Sequence, residues 1–209
     1  GATWEREATE LLRRNEGLQR LEWRDERLAV VGAVDSPYPP RLFGLMPRPE
    51  LVLEAELACR ETQRSGAPGF SRSYFVPLPG GMGVEVVDLC VPVVQAGRDT
   101  AYLVATLSLP RMLEVAVAGG SGRRHEFSII EADGTRLARA GSVRGAGVFI
   151  AERIVDLPGN GLQLRVDAVE RKPSLIPNLA VALVLGLSLG LFGVVLLLVR
   201  DGRRRARAE

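Results

Sequence analysis

The stretch LAVALVLGLSLGLFGVVLLLV, residues 179–199, contains no ionisable side chain over twenty-one consecutive positions. At about 1.5 Å of rise per residue, a helix of that length is roughly 30 Å long, which matches the hydrocarbon core of a bilayer. A buried helix of a soluble protein is the alternative. An uncharged helix of this length, bounded by Pro177 and an arginine cluster, is more typical of a membrane span. We therefore predict a transmembrane helix at residues 175–199.

Positive charge is concentrated after this span. Five of the 27 basic residues lie at positions 200–207, whereas the 22 basic and 23 acidic residues before the span leave that region close to neutral. Because short cytoplasmic segments carry an excess of Lys and Arg, we predict an inner-membrane protein with residues 1–173 in the periplasm. Residues 200–209 would then begin a cytoplasmic signalling helix. Since the chain has no initiator methionine and no signal peptide, we expect a further anchor before Gly1.

The near-neutral outer region carries no concentrated basic face, which argues against a nucleic-acid partner. The two cysteines and the single histidine do not have metal-site spacing. Cys59 falls in a predicted helix and Cys90 in an apolar strand, positions where a cysteine commonly packs as a small hydrophobe. We predict two buried thiols, with a disulfide as the alternative that an oxidising compartment allows. His125 follows two arginines in a polar stretch and is predicted to be solvated.

The first residues predict a long helix from Thr3 to Leu21, within an N-terminal region of residues 1–21. Five positions of this helix, four apolar and one polar, recur at spacings of four and three residues, which is a heptad pattern. These positions are Trp4, Ala8, Leu11, Asn15 and Leu18. The pattern predicts packing between two copies of the chain or, alternatively, packing against the helix's own domain.

Residues 22–118 predict a first unit of mixed helix and sheet, placed farthest from the membrane. The predicted strands are 28–34, 71–76, 84–94 and 101–109, and the predicted helices are 50–64 and 111–117. The polar segment 95–100 is predicted to join the last two strands as an antiparallel hairpin.

Glycines at 119, 120 and 122 separate a second, smaller sheet unit at residues 123–172. Its predicted strands are 127–130, 136–140, 148–157 and 162–169. Alternate residues of the last strand are apolar, so one of its faces is predicted to be buried. The fold class is therefore α+β: a long N-terminal helix, an antiparallel sheet unit, a smaller sheet unit and a C-terminal transmembrane helix.

This order of elements resembles the extracytoplasmic PAS-like (Cache or PDC) sensor regions of bacterial receptors. The stretches LQRLEWRD (18–25), SRSYFVPL (71–78) and EADGTRLA (131–138) are similar to betaproteobacterial sensor histidine kinases, which are described as regulators of four-carbon dicarboxylate uptake. The resemblance implies a PAS-like first unit, a homodimer and a small anionic ligand such as a dicarboxylate. It also implies a cytoplasmic part that binds ATP and acts on a response regulator.

The chain itself shows no catalytic signature. The glycine-rich segment 80–83 does not lie between a strand and a helix as a nucleotide loop requires. Ser71 and Ser73 lack the Gly-x-Ser-x-Gly context of an activated nucleophile. We therefore expect neither enzymatic activity nor a cofactor in this part of the protein, with ATP confined to the kinase part.

The strongest candidates for ligand binding are Arg72, Ser73 and Tyr74. On a strand, Arg72 and Tyr74 would share one face and offer a guanidinium fork for a carboxylate beside a phenol hydroxyl. The dicarboxylate sensors that this chain resembles have a similar Arg-Pro-Tyr-Phe run near the pocket, and Ser73 stands here in place of the proline. An edge strand with solvated side chains is the alternative.

Asp88 interrupts an otherwise apolar strand, and a buried carboxylate is costly unless it is paired. We predict an ion pair between Asp88 and Arg72, or else a contact between Asp88 and the amino group of an amino-acid ligand. Tyr38 and Arg41 precede the second predicted helix. They form either a lid over the pocket or an ordinary exposed loop.

These observations favour a sensor whose outer domain binds a small anionic metabolite and passes the change through the last strand and the span to a histidine kinase. One alternative attaches the same sensor to a diguanylate cyclase or a chemoreceptor. The other is an outer domain that only dimerises or binds another protein.

Overall fold

The computed structural model describes residues 2–39, 41–44, 52–78, 82–94, 100–118, 121–141, 143–170 and 175–205. The chain divides into two compact units, Gly1–Glu170 and Arg171–Glu209. In the described residues, the first unit contains two antiparallel sheets and three α-helices, and the second contains one long apolar helix. The predicted α+β class is therefore confirmed.

The first sheet has six strands. They are β1 (Leu18–Arg24), β2 (Val30–Asp35), β3 (Gly69–Phe70), β4 (Tyr74–Pro77), β5 (Gly83–Val94) and β6 (Thr100–Ser108). The strand order is β2-β1-β6-β5-β3, and β4 pairs with another part of β5. The antiparallel pairing of β5 with β6 confirms the predicted hairpin partners. The hairpin's connecting residues 95–99 lie outside the described residues.

The second sheet has four strands. They are β7 (His125–Ile130), β8 (Arg136–Ala140), β9 (Ile150–Ile154) and β10 (Gln163–Ala168), in the order β8-β7-β10-β9. The prediction that one face of the last strand is buried is confirmed, because Leu162, just before β10, and Ala168 are buried on its apolar face, whereas the residues of the other face are only partly buried or exposed. On the polar face, the loop before β9 covers the strand, and its Gly147 N–H donates to Asp167 Oδ1 at 3.0 Å.

The two sheets share one hydrophobic core. It joins Val87 of β5 and Leu109 of the third helix to Ile129 and Ala138 of the second sheet. The described residues of 22–118 and of 123–170 therefore contact each other inside a single compact unit. Their predicted order relative to the membrane stays a prediction.

The three helices of this unit are α1 (Ala2–Arg14), α2 (Val52–Ser65) and α3 (Leu109–Val117). Ser108 caps α3, because its hydroxyl accepts the backbone N–H of Arg111 at 3.3 Å, and Pro110 occupies the first turn. α2 buries Ala55 and Ala58 against the first sheet.

The N-terminal helix is shorter than predicted, because it ends at Arg14 and residues 18–24 form β1. The side-chain amide of Asn15 donates to the carbonyl oxygen of Leu11 at 2.9 Å and closes the last turn. The helix packs against its own domain, the predicted alternative to packing between two copies, because Trp4 and Ala8 belong to a cluster with Leu21 and Ala105 of the first sheet. The predicted heptad pattern is wrong at Leu11. Leu12 is fully buried, whereas Leu11 is 44% exposed and Leu18 belongs to the sheet. Pairing of β1 on both of its edges outweighs the local helical pattern.

Cys59 of α2 and Cys90 of β5 form a disulfide, with Cα atoms 5.2 Å apart. The prediction of two buried thiols is therefore wrong, although both residues are fully buried on the predicted helix and strand. Packing of α2 on β5 brings together two cysteines that lie 31 positions apart in the sequence. The bridge fixes α2 next to Asp88, two residues before Cys90.

His125 is not simply solvated. It is the first residue of β7 and is half-buried, and its ring lies edge-on to Phe127 with the ring centroids 6.3 Å apart. The strand pairing of β7 with β10 places His125 opposite Ala168, which explains this burial.

The second unit contains α4 (Leu175–Arg205). Within it, Leu179–Arg204 is 26 residues long with a mean hydropathy of 2.8 in its most apolar window, so this helix is long and apolar enough to cross a membrane.

Candidate functional site

A row of polar side chains crosses the first sheet on the face that α2 covers. Asp88 of β5 lies opposite Thr106 of β6. Thr106 in turn lies opposite Arg20 of β1, and Arg20 lies opposite Asp35 of β2. Directly opposed residues share a face and have Cβ atoms about 5 Å apart. We call these four residues, from Asp88 to Asp35, the polar row.

Asp88 lies between two apolar clusters on this face. One cluster contains Leu42, Val76 and Val86, and the other contains Cys90, Val104 and the buried face of α2. The side chain of Asp88 is fully buried. A carboxylate in such surroundings needs hydrogen-bond donors.

Hydroxyl groups provide donors to Asp88. The Tyr74 hydroxyl donates to Oδ2 at 2.8 Å, and Thr106 Oγ1 donates to Oδ1 at 2.5 Å. The backbone N–H of Asp88 donates to Ser71 Oγ at 2.8 Å, and the Ser71 N–H donates to the Asp88 carbonyl oxygen. The arrangement holds a buried carboxylate in a fixed orientation, and such a group is suited to contact the ammonium group of a ligand.

A second buried charge cluster adjoins the polar row on β1. Glu22 accepts hydrogen bonds from Arg20 Nε at 2.8 Å and from the Arg24 guanidinium at 2.6 Å. Arg20 also donates to Asp35 at 2.8 Å and stacks over the ring of Phe43, 5.4 Å from its centroid. Glu22 and Arg24 are almost completely buried. These bonds fix the orientation of Arg20, the cation of the polar row.

A cavity of about 250 Å³ lies at the Ser108 end of this face. Ser108 is two residues from Thr106 on β6 and points to the same side. The cavity is lined by Glu16, Gln19, Tyr38, Pro39, Leu42, Val84, Ser108 and Arg111. One water occupies about 30 Å³ of liquid, so the cavity has room for a small metabolite.

The two predicted lid residues differ in position. Tyr38 lines this cavity, and its hydroxyl donates to the Arg13 carbonyl oxygen at 2.8 Å. Arg41 is exposed and is not part of the cavity lining. A lid formed by Tyr38 stays a prediction.

Arg72 does not share a face with Tyr74, so the predicted guanidinium–phenol fork is wrong. β4 begins only at Tyr74, and residues 71–73 form an irregular segment that turns the Arg72 side chain outward. Arg72 lines a different cavity, together with Glu131 and Asn160. The predicted ion pair between Arg72 and Asp88 is therefore wrong, because Tyr74 and Thr106 contact Asp88 instead. Ser73 also points away from Asp88, and its hydroxyl donates to Glu131 Oε1 at 3.3 Å.

The sequence interpretation missed five members of this site: Thr106, Arg20, Asp35, Glu22 and Arg24. The signal was present in β1, where charged residues at 20, 22 and 24 alternate with apolar residues at 21 and 23. That period of two is typical of a strand. The pattern is interrupted in the sequence interpretation, because the predicted helix ends at Leu21 and the next predicted strand begins only at residue 28.

Glu85 lies on the other face of β5. Burial raises the pKa of its carboxyl group, and the charge of nearby Glu131 raises it further. Its Oε2 atom is buried and has no hydrogen-bond partner among the described residues. Ionised Glu85 therefore opposes folding.

We expect the Glu85→Gln variant to be more stable than the wild type at pH 7, by about 1 kcal/mol, since it removes a buried, poorly solvated charge. Because the folded-state pKa lies above the unfolded-state value, the penalty is present at neutral pH and disappears as the pH falls through the folded-state pKa. Urea unfolding at several pH values measures the difference. Glu26→Gln, at an exposed position, is the control, and equal stability of Glu85→Gln and wild type at pH 7 would contradict the prediction.

No known family model matches this chain, and no curated protein matches it. Solved structures to which this chain is similar include a domain described as the extracellular domain of a histidine kinase, with 8% identity and a TM-score of 0.49 over 80% of this chain and 74% of that one. A domain of a sensory box/GGDEF family protein from Vibrio parahaemolyticus has 9% identity and a TM-score of 0.48, over 80% and 77%. The ligand-binding domain of a Pseudomonas aeruginosa amino-acid chemoreceptor, in complex with GABA, has 14% identity and a TM-score of 0.45 over 80% of each chain.

Proposed function

We propose that this chain is the extracytoplasmic ligand-sensing and membrane-spanning part of a two-component sensor histidine kinase, and that its ligand is a small carboxylate. The observation that carries the proposal is the polar row, in which a fully buried carboxylate and an oriented arginine lie on one sheet face. The cavity at Ser108, two residues from Thr106 on β6, is lined by neighbouring residues and not by the row itself. Buried charges that serve only stability are readily replaced by apolar residues. Ligand binding would explain why the polar row contains charged residues.

The charges of the site favour one kind of carboxylate. Asp88 and Asp35 of the polar row lie on the same sheet face as Glu22 and the two arginines that Glu22 contacts, Arg20 and Arg24. A ligand that brings an ammonium group as well as a carboxylate would complement Asp88 with the first and the arginine side of the row with the second. An amino acid meets this description, whereas a dicarboxylate would place like charges beside Asp88.

Transmission of the signal follows from the order of the elements. β10 ends at Ala168, and the apolar helix begins at Leu175, only seven positions later. A change in the second sheet therefore has a short covalent path to the helix. In this proposal the chain acts as a homodimer, and a cytoplasmic kinase that binds ATP receives the change and passes it to a response regulator.

The disulfide supports the proposed location. Disulfides persist in oxidising compartments such as the periplasm and are rare in the cytosol. The bridge between Cys59 and Cys90 therefore agrees with residues 1–173 outside the cytoplasm and the arginine-rich end of α4 inside it. A diguanylate cyclase or a chemoreceptor as the cytoplasmic part is the alternative output.

The test is a panel of small carboxylates added to the full chain in detergent while its thermal unfolding is followed. A ligand that binds only the folded protein stabilises it by about 2.7 kcal/mol at a hundred times its Kd, which is a rise in Tm of several degrees. We expect such a rise with an amino acid at millimolar concentration, and a smaller one or none with succinate and malate.

The variants make the test specific. Asp88→Asn should abolish the ligand-dependent rise, whereas Asp156→Asn, at an exposed position, should keep it. The baseline Tm of Asp88→Asn will also fall, so the increment with ligand is the quantity to compare. If no small carboxylate shifts the wild-type Tm, the proposed ligand class is wrong and the alternative of a dimerising or protein-binding outer domain gains support.

A further inference from the structure

A second cavity, of about 410 Å³, lies where the two sheets meet. Its volume falls within the range of about 300–1,000 Å³ that is usual for ligand pockets. Three segments contribute to it: the irregular segment before β4, the turn between β7 and β8, and the turn between β9 and β10. The lining residues used here are Arg72, Glu131, Asp133, Gly159, Asn160 and Leu162. We call this cavity the junction pocket.

Hydrogen bonds between the segments hold the junction pocket in shape. Asn160 Nδ2 donates to the Ser71 carbonyl oxygen at 2.9 Å, and the Phe70 N–H donates to the Pro158 carbonyl oxygen at 3.2 Å. Ser73 Oγ donates to Glu131 Oε1 at 3.3 Å. The backbone of Gly159 has a φ of 87°, a conformation that favours glycine, and so permits the tight turn at the pocket wall. The pocket is therefore built by contacts between both sheets.

The pocket contains charges of both signs. The backbone carbonyl of Arg72 accepts the Ser71 hydroxyl at 2.7 Å, whereas its guanidinium makes no hydrogen bond or ion pair with any described residue. Asp133 accepts the Thr135 N–H at 2.8 Å, and this bond lowers the pKa of its carboxyl group, so that it is ionised at neutral pH. Glu131 carries a second carboxylate. One guanidinium and two carboxylates therefore line the same cavity.

We infer that the junction pocket is a second ligand site, separate from the polar row, and that it binds a small molecule with one carboxylate and two amino groups, such as a basic amino acid. The ligand carboxylate pairs with the Arg72 guanidinium, which offers a planar fork of donors. The amino groups pair with Glu131 and Asp133. A net charge of plus one on the ligand balances the excess negative charge of the pocket.

The position of the junction pocket gives it a connection to the polar row. The Ser71 carbonyl oxygen accepts a hydrogen bond from the Asn160 side-chain amide. The Ser71 hydroxyl oxygen accepts a hydrogen bond from the backbone N–H of Asp88. A ligand that draws Arg72 toward Glu131 and Asp133 would act on the same four-residue segment, residues 71–74, that holds Tyr74 against Asp88.

Isothermal titration calorimetry of the full chain in detergent, with L-lysine as the probe, tests this inference. We expect binding to the wild type and to Asp88→Asn. Arg72→Gln and Glu131→Gln should each weaken it about tenfold or more, because each removes a charge-assisted hydrogen bond. Arg27→Gln and Glu26→Gln, at exposed positions elsewhere, should leave it unchanged. Cadaverine, which lacks the carboxylate and carries two positive charges, should bind Arg72→Gln at least as tightly as the wild type.

Two results would overturn the inference. One is the absence of L-lysine binding to both the wild type and Asp88→Asn at about 10 mM. The other is binding that Asp88→Asn abolishes and Arg72→Gln leaves intact. This second pattern would place L-lysine at the polar row and leave the proposed sensor function standing. Binding that depends on Arg72 but not on Asp88 supports the junction pocket whatever the polar row binds.

Discussion

Replacing Cys59 and Cys90 together by serine should lower the free energy of unfolding by about 3–4 kcal/mol. The disulfide closes a loop between residues 31 positions apart, and a cross-link of that span restricts the unfolded chain by roughly this amount. For a protein of this size the loss corresponds to a fall in Tm of about 10 °C. Thermal unfolding of the full chain under oxidising conditions measures it.

A reductant provides the control for the disulfide. It should lower the Tm of the wild type toward that of the double serine variant, and it should leave the variant unchanged. Equal stability of wild type and variant under oxidising conditions would contradict the structure, because it would mean that the bridge is absent or does not constrain the chain.

The Leu12→Ala variant should lose about 2–5 kcal/mol of unfolding free energy. Leu12 is fully buried in a cluster with Ala8, Leu21 and Ala105, so truncation leaves a cavity between α1 and the first sheet. The neighbouring Leu11 is 44% exposed, and Leu11→Ala should cost less than about 1 kcal/mol. Urea unfolding of the two variants gives the comparison.

This pair of variants also decides between the two descriptions of α1. In the heptad seam predicted from the sequence, Leu11 is a core position and Leu12 is not. A larger loss for Leu11→Ala than for Leu12→Ala would support that seam and contradict the packing of α1 on the sheet.

The sequence predicts most of the second sheet well because its strands are bounded by strong turn signals. β8 has the predicted bounds 136–140, and the Asp133-Gly134 turn lies between β7 and β8. Gly134 has a φ of 87°, a conformation that glycine adopts in turns without steric cost. The local sequence is therefore sufficient to predict this turn. Pro110 likewise marks the start of α3 from local chemistry alone.

The errors arise where distant parts of the chain decide the outcome. β1 lies between β2 and β6, and its long-range pairing is not visible in a local pattern that continues the helical spacing of α1. The disulfide depends on the packing of α2 against β5. The interpretation of Arg72 failed because it assumed an extended strand at residues 71–73, and a one-residue change in such an assignment reverses which side chains share a face.

Asp88 shows the opposite case, because its position alone predicted buried polar partners. A charged residue inside an apolar strand requires partners, and the structure supplies Tyr74 and Thr106. The sequence could not identify Thr106, since the partner is set by the register between β5 and β6.

The most direct test of the account is the membrane topology of the chain, because a sensor needs its folded unit outside the cytoplasm and its output inside. A reporter that is active only in the cytoplasm should be active when fused after Glu209 and silent when fused after Gly120. The arginines that follow the apolar helix are the physical reason for this orientation. The reverse pattern, or activity at both positions, would contradict the location and the proposed sensor function together.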